Sequence, residues 1–356
     1  MTDRPLHPSQ TTQALRSFWW WTALIVVVTL MLFMLLAAAG MVYQRVLTAR
    51  DALRFPPPGR LYKVGLIYLH MSCIGEGEPT IIMDSGIGSW SIFLTNLQTE
   101  LSKTNRVCVY DRPGYGWSEP DPGAGMGMNT VENLHMLLRK AGINEPVLLV
   151  GHSVAGLTMK IYAKNYPLDV LGLVLIDTPH EDFIPVLEQV LSYNIDDLYP
   201  MIIFGSRLGL LRTIFRNYHG LTENVIKSDE PLYTAQMSIP SYYETVLSEK
   251  SHLLEVADLS RKAGGLGNLP FVTISARKLY VSDEVLPPEL NLQEVNSRWM
   301  RLQSEIPGIS KKGVGLVSTR ASNNVLLNDP ALAASGVRLA VSLATGKGDK
   351  APEPRP

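Results

Sequence analysis

Cysteine is scarce in this chain. Only Cys73 and Cys108 occur among 356 residues, which excludes a disulfide framework and a cysteine-rich metal site but leaves room for one bridge. Net charge is nearly absent as well: 32 Lys and Arg stand against 33 Asp and Glu, a formal charge of -1. There is no basic field of the kind a phosphate backbone requires, so nucleic acid is not an expected partner. Histidine runs out early, since none of the seven lies beyond His252. No repeat or low-complexity tract occurs, and nothing in the residues implies a metal or a cofactor.

A fourth absence carries more. No charged side chain lies between Arg16 and Arg45, and the centre of that stretch is Leu24-Ile25-Val26-Val27-Val28. The run is long enough to span a bilayer. Trp19, Trp20 and Trp21 mark one end, where indole rings favour the headgroup boundary. A cleavable signal ending near Ala37-Ala38-Ala39 would have an apolar region of only about 7–15 residues, so the stretch reads as an uncleaved anchor in a lipid bilayer. Arg4 and Arg16 flank one side; Arg45, Arg50, Arg54 and Arg60 flank the other, a balance that leans towards a cytoplasmic domain. A single N-terminal anchor commonly exports the domain attached to it, and a cysteine pair suits an oxidising compartment; the expectation is a single-pass membrane protein with an extracytoplasmic domain.

With 46% hydrophobic and 18% charged residues, the remainder can bury a full core. Phe55-Pro56-Pro57-Pro58-Gly59 cannot continue a helix and reads as the end of a stiff spacer. A hairpin is expected from Leu61 to Cys73 with its turn near Gly65, then strands at Thr80 to Asp84, Val107 to Tyr110, Pro146 to Val150 and Val170 to Ile176. Helices are expected between them at Ser91 to Thr104, Thr130 to Ala141 and Leu157 to Asn165. Strands alternating with helices imply a mostly parallel sheet of the α/β class. Thr178 to Asn268 lacks a convincing buried strand but holds helical stretches, notably Met201 to Phe215, and reads as a helical cap. Strand character returns at Phe271 to Ile274 and Val314 to Ser318, with helices at Val295 to Glu305 and Ala331 to Ala344. The expected organisation is a tail at 1–16, the anchor at 17–44, a linker at 45–59, a core at 60–177 and 269–345, the cap at 178–268 and a disordered tail at 346–356.

The chemistry centres on Ser153. It stands in Gly151-His152-Ser153-Val154-Ala155-Gly156, directly after an apolar strand and before a helix. A serine on such a tight strand-to-helix turn is held in strained geometry with its hydroxyl exposed at the carboxyl edge of the sheet. Ala155 stands where glycine is usual, with Gly156 next to it.

These features, together with Gly75-Glu76-Gly77-Glu78-Pro79, Asp111-Arg112-Pro113-Gly114-Tyr115-Gly116-Trp117-Ser118 and Gly172-Leu173-Val174-Leu175-Ile176-Asp177, resemble the α/β-hydrolase family, particularly its membrane-anchored members. The resemblance runs from Phe55 to Ala344. It implies an eight-stranded, mostly parallel sheet flanked by helices, with the cap inserted after strand 6. It also implies an oxyanion hole from the main-chain N–H groups of Ile87, in the Ser85-Gly86-Ile87-Gly88 loop, and of Val154. Cys73 and Cys108 would fall at the ends of neighbouring strands, either bridged or as two small buried hydrophobes.

The acid is expected at Asp177, at the end of the sixth strand, in preference to Asp283; His180 and Asp111 read as structural. The base is missing. Where relatives carry a histidine after the last strand, this chain has Asn323 and Asn324, and an amide cannot take a proton from serine. His219 or His252 would have to reach in from the cap, while His152 should point away. The reading is a membrane-anchored, esterase-like serine-hydrolase scaffold acting on a small apolar ester-like compound, with weak or lost activity. Its rival is a non-catalytic pseudoenzyme serving as a binding or structural subunit beside partner proteins of a membrane complex.

Overall fold

The computed structural model describes residues 10–121, 127–193, 196–217, 230–278, 286–321 and 324–346. Its centre is an eight-stranded sheet: β1 (Arg60–Val64), β2 (Ile67–Ile74), β3 (Ile81–Asp84), β4 (Val107–Tyr110), β5 (Val147–His152), β6 (Val170–Ile176), β7 (Phe271–Ser275) and β8 (Gly313–Val317). The spatial order is β1-β2-β4-β3-β5-β6-β7-β8. Only the β1–β2 and β2–β4 pairs are antiparallel. The hairpin between β1 and β2 turns at Gly65, whose φ of 59° is cheap for a residue without a Cβ.

Successive residues of β5 feed opposite faces, as the two-residue period of a strand demands. Leu149 packs beneath α3 (Met128–Lys140) and α4 (Ala155–Asn165). Leu148 and Val150 pack towards α2 (Thr95–Leu101) and α13 (Pro330–Thr345). All six residues of β5 except His152 are buried, which is why this strand reads as a continuous apolar run. Cys73 and Cys108 face each other across the β2–β4 pair and are joined in a disulfide.

Between β6 and β7 the described chain is helical: α5 (Ile184–Ser192), α6 (Tyr199–Arg207), α7 (Leu210–Asn217), α8 (Glu230–Met237), α9 (Pro240–Ser251) and α10 (Leu253–Ala263). The helical stretch expected from Met201 to Phe215 is divided into two helices at Leu208-Gly209, where Gly209 takes φ 75°. The rest of the described chain adds α11 (Leu292–Glu305) and α12 (Val325–Asn328).

The first helix, α1, runs from Gln10 to Arg54, so the expected linker at 45–59 shrinks to the extended segment from Phe55 onward. Two causes extend the helix. No proline intervenes before Pro56, and one face of its final turns docks on the cap. Gln44 Nε2 donates to the Ser238 carbonyl at 2.7 Å, and Arg212 donates from Nε to Gln44 Oε1 at 2.7 Å and from a terminal nitrogen to Thr48 Oγ1 at 2.9 Å. Arg212 also pairs with Asp51. The segment from Arg16 to Arg54 is long and apolar enough to cross a membrane, and its large apolar side chains from Phe18 to Leu36 are exposed.

Candidate active site

Ser153 and Asp177 are the two non-glycine residues with positive φ among those described, at 54° and 47°. Each closes a central strand. The Ser153 N–H donates to the Ile176 carbonyl and the Asp177 N–H to the Ile274 carbonyl, both at 2.8 Å, so the ladder of β5, β6 and β7 holds both residues in their strained conformation.

The glycine missing from position 155 is replaced by its neighbour. A Cβ on Gly151 would lie 2.5 Å from Gly156 Cα, and one on Gly156 would lie 2.0 Å from Thr178 Oγ1. Backbone therefore passes backbone here only because both positions lack side chains, and the Ala155 methyl is accommodated in the core. The sequence already held this signal in the Ala155-Gly156 pair.

The Ser85-Gly86-Ile87-Gly88 loop lies against the serine, since a Cβ on Gly86 would sit 3.1 Å from Ser153 Oγ. Among the described residues, no hydrogen bond occupies the main-chain N–H of Ile87 or Val154. The loop is fixed from behind by groups that sequence reasoning did not connect. Arg112, 2% exposed, donates to the Ser85 carbonyl, to the Gly86 carbonyl at 2.8 Å and to Asp84 Oδ1 at 2.5 Å. Its Nε donates to Glu249 Oε1 of α9 at 2.7 Å, and the Tyr115 hydroxyl donates to the other Glu249 oxygen at 2.7 Å. Tyr242, also of α9, donates to the Gly88 carbonyl at 2.9 Å. Burial, with Glu249 adding to it, pushes the Tyr115 hydroxyl well above its usual range, so it stays a donor at neutral pH.

Asp177 is buried, and both carboxylate oxygens are engaged by backbone. Oδ1 accepts the Ala276 N–H and Oδ2 the Val325 N–H, each at 2.7 Å. Burial raises its pKa to about 6, against the lowering effect of these two bonds. Asn324 caps α12, its Oδ1 accepting the Leu327 N–H at 3.3 Å. Asn323 lies outside the described residues, as do Asp283 and His219.

Among the described residues, no hydrogen bond joins a histidine to Ser153 or Asp177. His252 Nδ1 lies 2.6 Å from the Ser248 carbonyl, and His180 accepts the Asp182 N–H at 3.1 Å as a helix cap. His70 is paired with Asp111 at 2.8 Å, and Asp111 also accepts the Ser91 and Trp117 N–H groups. His152 is only partly exposed, and burial lowers its imidazole to about 4, leaving it neutral at pH 7. No group of three or more His, Cys, Asp or Glu is placed to hold a metal among the described residues.

Comparison with known proteins agrees with this architecture. Residues 79–207 match the family described as alpha/beta hydrolase fold. A cis-3-alkyl-4-alkyloxetan-2-one decarboxylase from Shewanella oneidensis is 33% identical over 113 residues, 31% of this chain and 35% of that protein. A vacuolar membrane protein of Saccharomyces cerevisiae is 29% identical over 135 residues, 33% of this chain and 21% of that one. The matched segments span 16%, 40% and 35% of the first three curated relatives. Among solved structures, a bacterial membrane phospholipase A superposes with a TM-score of 0.55 at 15% identity, covering 93% of this chain and 99% of that one. Strand order, strained serine and family match lead to one assignment: the chain has the alpha/beta hydrolase fold.

Proposed function

We propose that this is a membrane-anchored serine-hydrolase scaffold that binds a small apolar acyl compound and forms an acyl adduct on Ser153 slowly. The observation that carries the reading is the strained Ser153, with the free N–H groups of Ile87 and Val154 beside it. Ser153 Oγ would attack the ester carbonyl, its proton passing to water, and the two N–H groups would hold the tetrahedral oxyanion; its collapse would break the ester C–O bond, releasing the alcohol with a proton taken from water and leaving the acyl group on Ser153. Asp177 is the acid of an incomplete triad. Without imidazole between it and the serine, turnover would fall on the order of 10⁴ below that of a complete triad.

A second reading, a non-catalytic binding or complex-subunit role, is favoured by the two backbone bonds on Asp177, which give that carboxylate a structural task in docking α12 against the sheet. Anchoring through α1 is supported by its exposed apolar length and Trp19 to Trp21. The Cys73–Cys108 bond supports an extracytoplasmic placement, since such bonds persist in oxidising compartments. The test is intact-mass analysis of full-length protein incubated with p-nitrophenyl butyrate. An acyl adduct on wild type that is missing from Ser153→Ala supports the catalytic reading; unmodified, correctly folded wild type supports the binding role.

A further inference from the structure

The cap carries an exposed apolar surface whose position relative to α1 gives it a partner. Met201 and Phe204 on α6 are 71% and 52% exposed, and Leu210 and Ile214 on α7 are 54% and 53% exposed. Met201 and Phe204 are spaced i, i+3, and Leu210 and Ile214 i, i+4, so each pair shares one helix face. Single exposed apolar residues need no explanation, but a cluster on two adjoining helices marks a contact surface.

The junction of those helices touches α1 at a defined level. A Cβ on Gly40 would lie 2.7 Å from the Leu208 carbonyl oxygen, and one on Gly209 would lie 2.8 Å from the Tyr43 ring. From Trp20 to Gly40 is 20 residues, which at 1.5 Å per residue is about 30 Å, the thickness of a bilayer's hydrocarbon. If Trp19 to Trp21 mark one boundary, Gly40 to Tyr43 mark the other. Contacts along α1 change at the same level. The large apolar side chains from Phe18 to Leu36 are exposed, whereas Gln44, Thr48 and Asp51 beyond it are bound by Arg212.

We infer that the α6–α7 elbow is a bilayer-contact surface, with Phe204 and Leu210, flanked by Met201 and Ile214, resting in the interfacial layer of the membrane that α1 crosses. The inference rests on the reading of α1 as a membrane span. The adjacent bilayer is the occupant because the elbow is fixed where α1 leaves it, and the roughly 5–7 Å of headgroup layer beyond the hydrocarbon is deep enough to receive these side chains. The contact also reaches the candidate site: α6 packs on α9, which supplies Tyr242 and Glu249 to the oxyanion loop.

The test uses full-length protein, one copy per phosphatidylcholine nanodisc, with single cysteines carrying an environment-sensitive dye. Both native cysteines are bridged and leave no competing thiol. Phe204→Cys and Leu210→Cys report the elbow, Leu30→Cys reports the span, and Leu66→Cys, at a residue 96% exposed in the β1–β2 turn, reports water. The expected result is a blue shift and quenching by doxyl-labelled lipid at 204, 210 and 30, with neither at 66. Quenching at 30 alone overturns the elbow contact and leaves the span intact. No quenching at 30 overturns the span reading and the elbow contact with it. A shift at 204 and 210 that appears only with two copies per disc assigns the surface to a second copy and overturns the bilayer contact.

Discussion

Asp177 Oδ2 accepts the main-chain N–H of Val325 at 2.7 Å, in the segment where a complete triad would present its histidine. This carboxylate ties α12 to the end of β6. Deep burial outweighs that bond and the one from Ala276 and leaves the group with a pKa of about 6.

That value gives a pH dependence of definite sign. The folded pKa lies above the roughly 3.9 of an unfolded aspartate, so the stabilisation is complete below pH 4 and is lost as pH rises through 6. Wild-type protein is expected to lose about 2–3 kcal/mol from this group between pH 4 and pH 7. Asp177→Asn, which keeps a residue tolerant of positive φ, should lack that component. Denaturant unfolding of both proteins across this range checks it; parallel curves would contradict it.

Glu249→Gln removes one of the two buried carboxylates paired with Arg112, Asp84 keeping the other, and is expected to cost about 1–3 kcal/mol. Glu244→Gln breaks a pair with Arg207 whose side chains are 45% and 59% exposed, and should change stability by no more than about 0.5 kcal/mol. Thermal melts of the two variants should separate clearly, and Glu249→Gln should also slow adduct formation on Ser153 by loosening the Ser85-Gly86-Ile87-Gly88 loop.

How much of the molecule was legible from its residues differs by element. Strands β5 and β6 read correctly because both faces are buried and the runs are uninterrupted. The strained serine announced itself through its flanking glycine, alanine and strand. The long reach of α1 was not legible, because what prolongs it past Arg45 is a set of contacts with Ser238 and Arg212, far away in sequence. The clasp on the Ser85-Gly86-Ile87-Gly88 loop was half visible: Arg112 stands in a recognisable turn, but nothing local marks Glu249 as its partner 137 residues on.

Gly156→Ala would drive a methyl into Thr178. The expected cost is about 1–3 kcal/mol, with a parallel fall in Ser153 reactivity as α4 shifts. Calorimetry and adduct formation on one preparation test both parts.

Replacing Cys73 and Cys108 together by alanine removes a bridge spanning 35 residues and is expected to cost about 3–4 kcal/mol. Protein isolated under thiol-blocking conditions should show the bond on a non-reducing gel. Free thiols in that preparation would place the domain in a reducing compartment.

The most direct measurement is the rate of fluorophosphonate labelling of full-length protein, with the labelled residue identified by mass spectrometry, for wild type, Ser153→Ala, His180→Ala, His219→Ala and His252→Ala. An incomplete triad predicts slow labelling confined to Ser153, abolished by Ser153→Ala and unchanged by the three histidine substitutions. Fast labelling that disappears with any one of those histidines would contradict it, because the triad would then be complete.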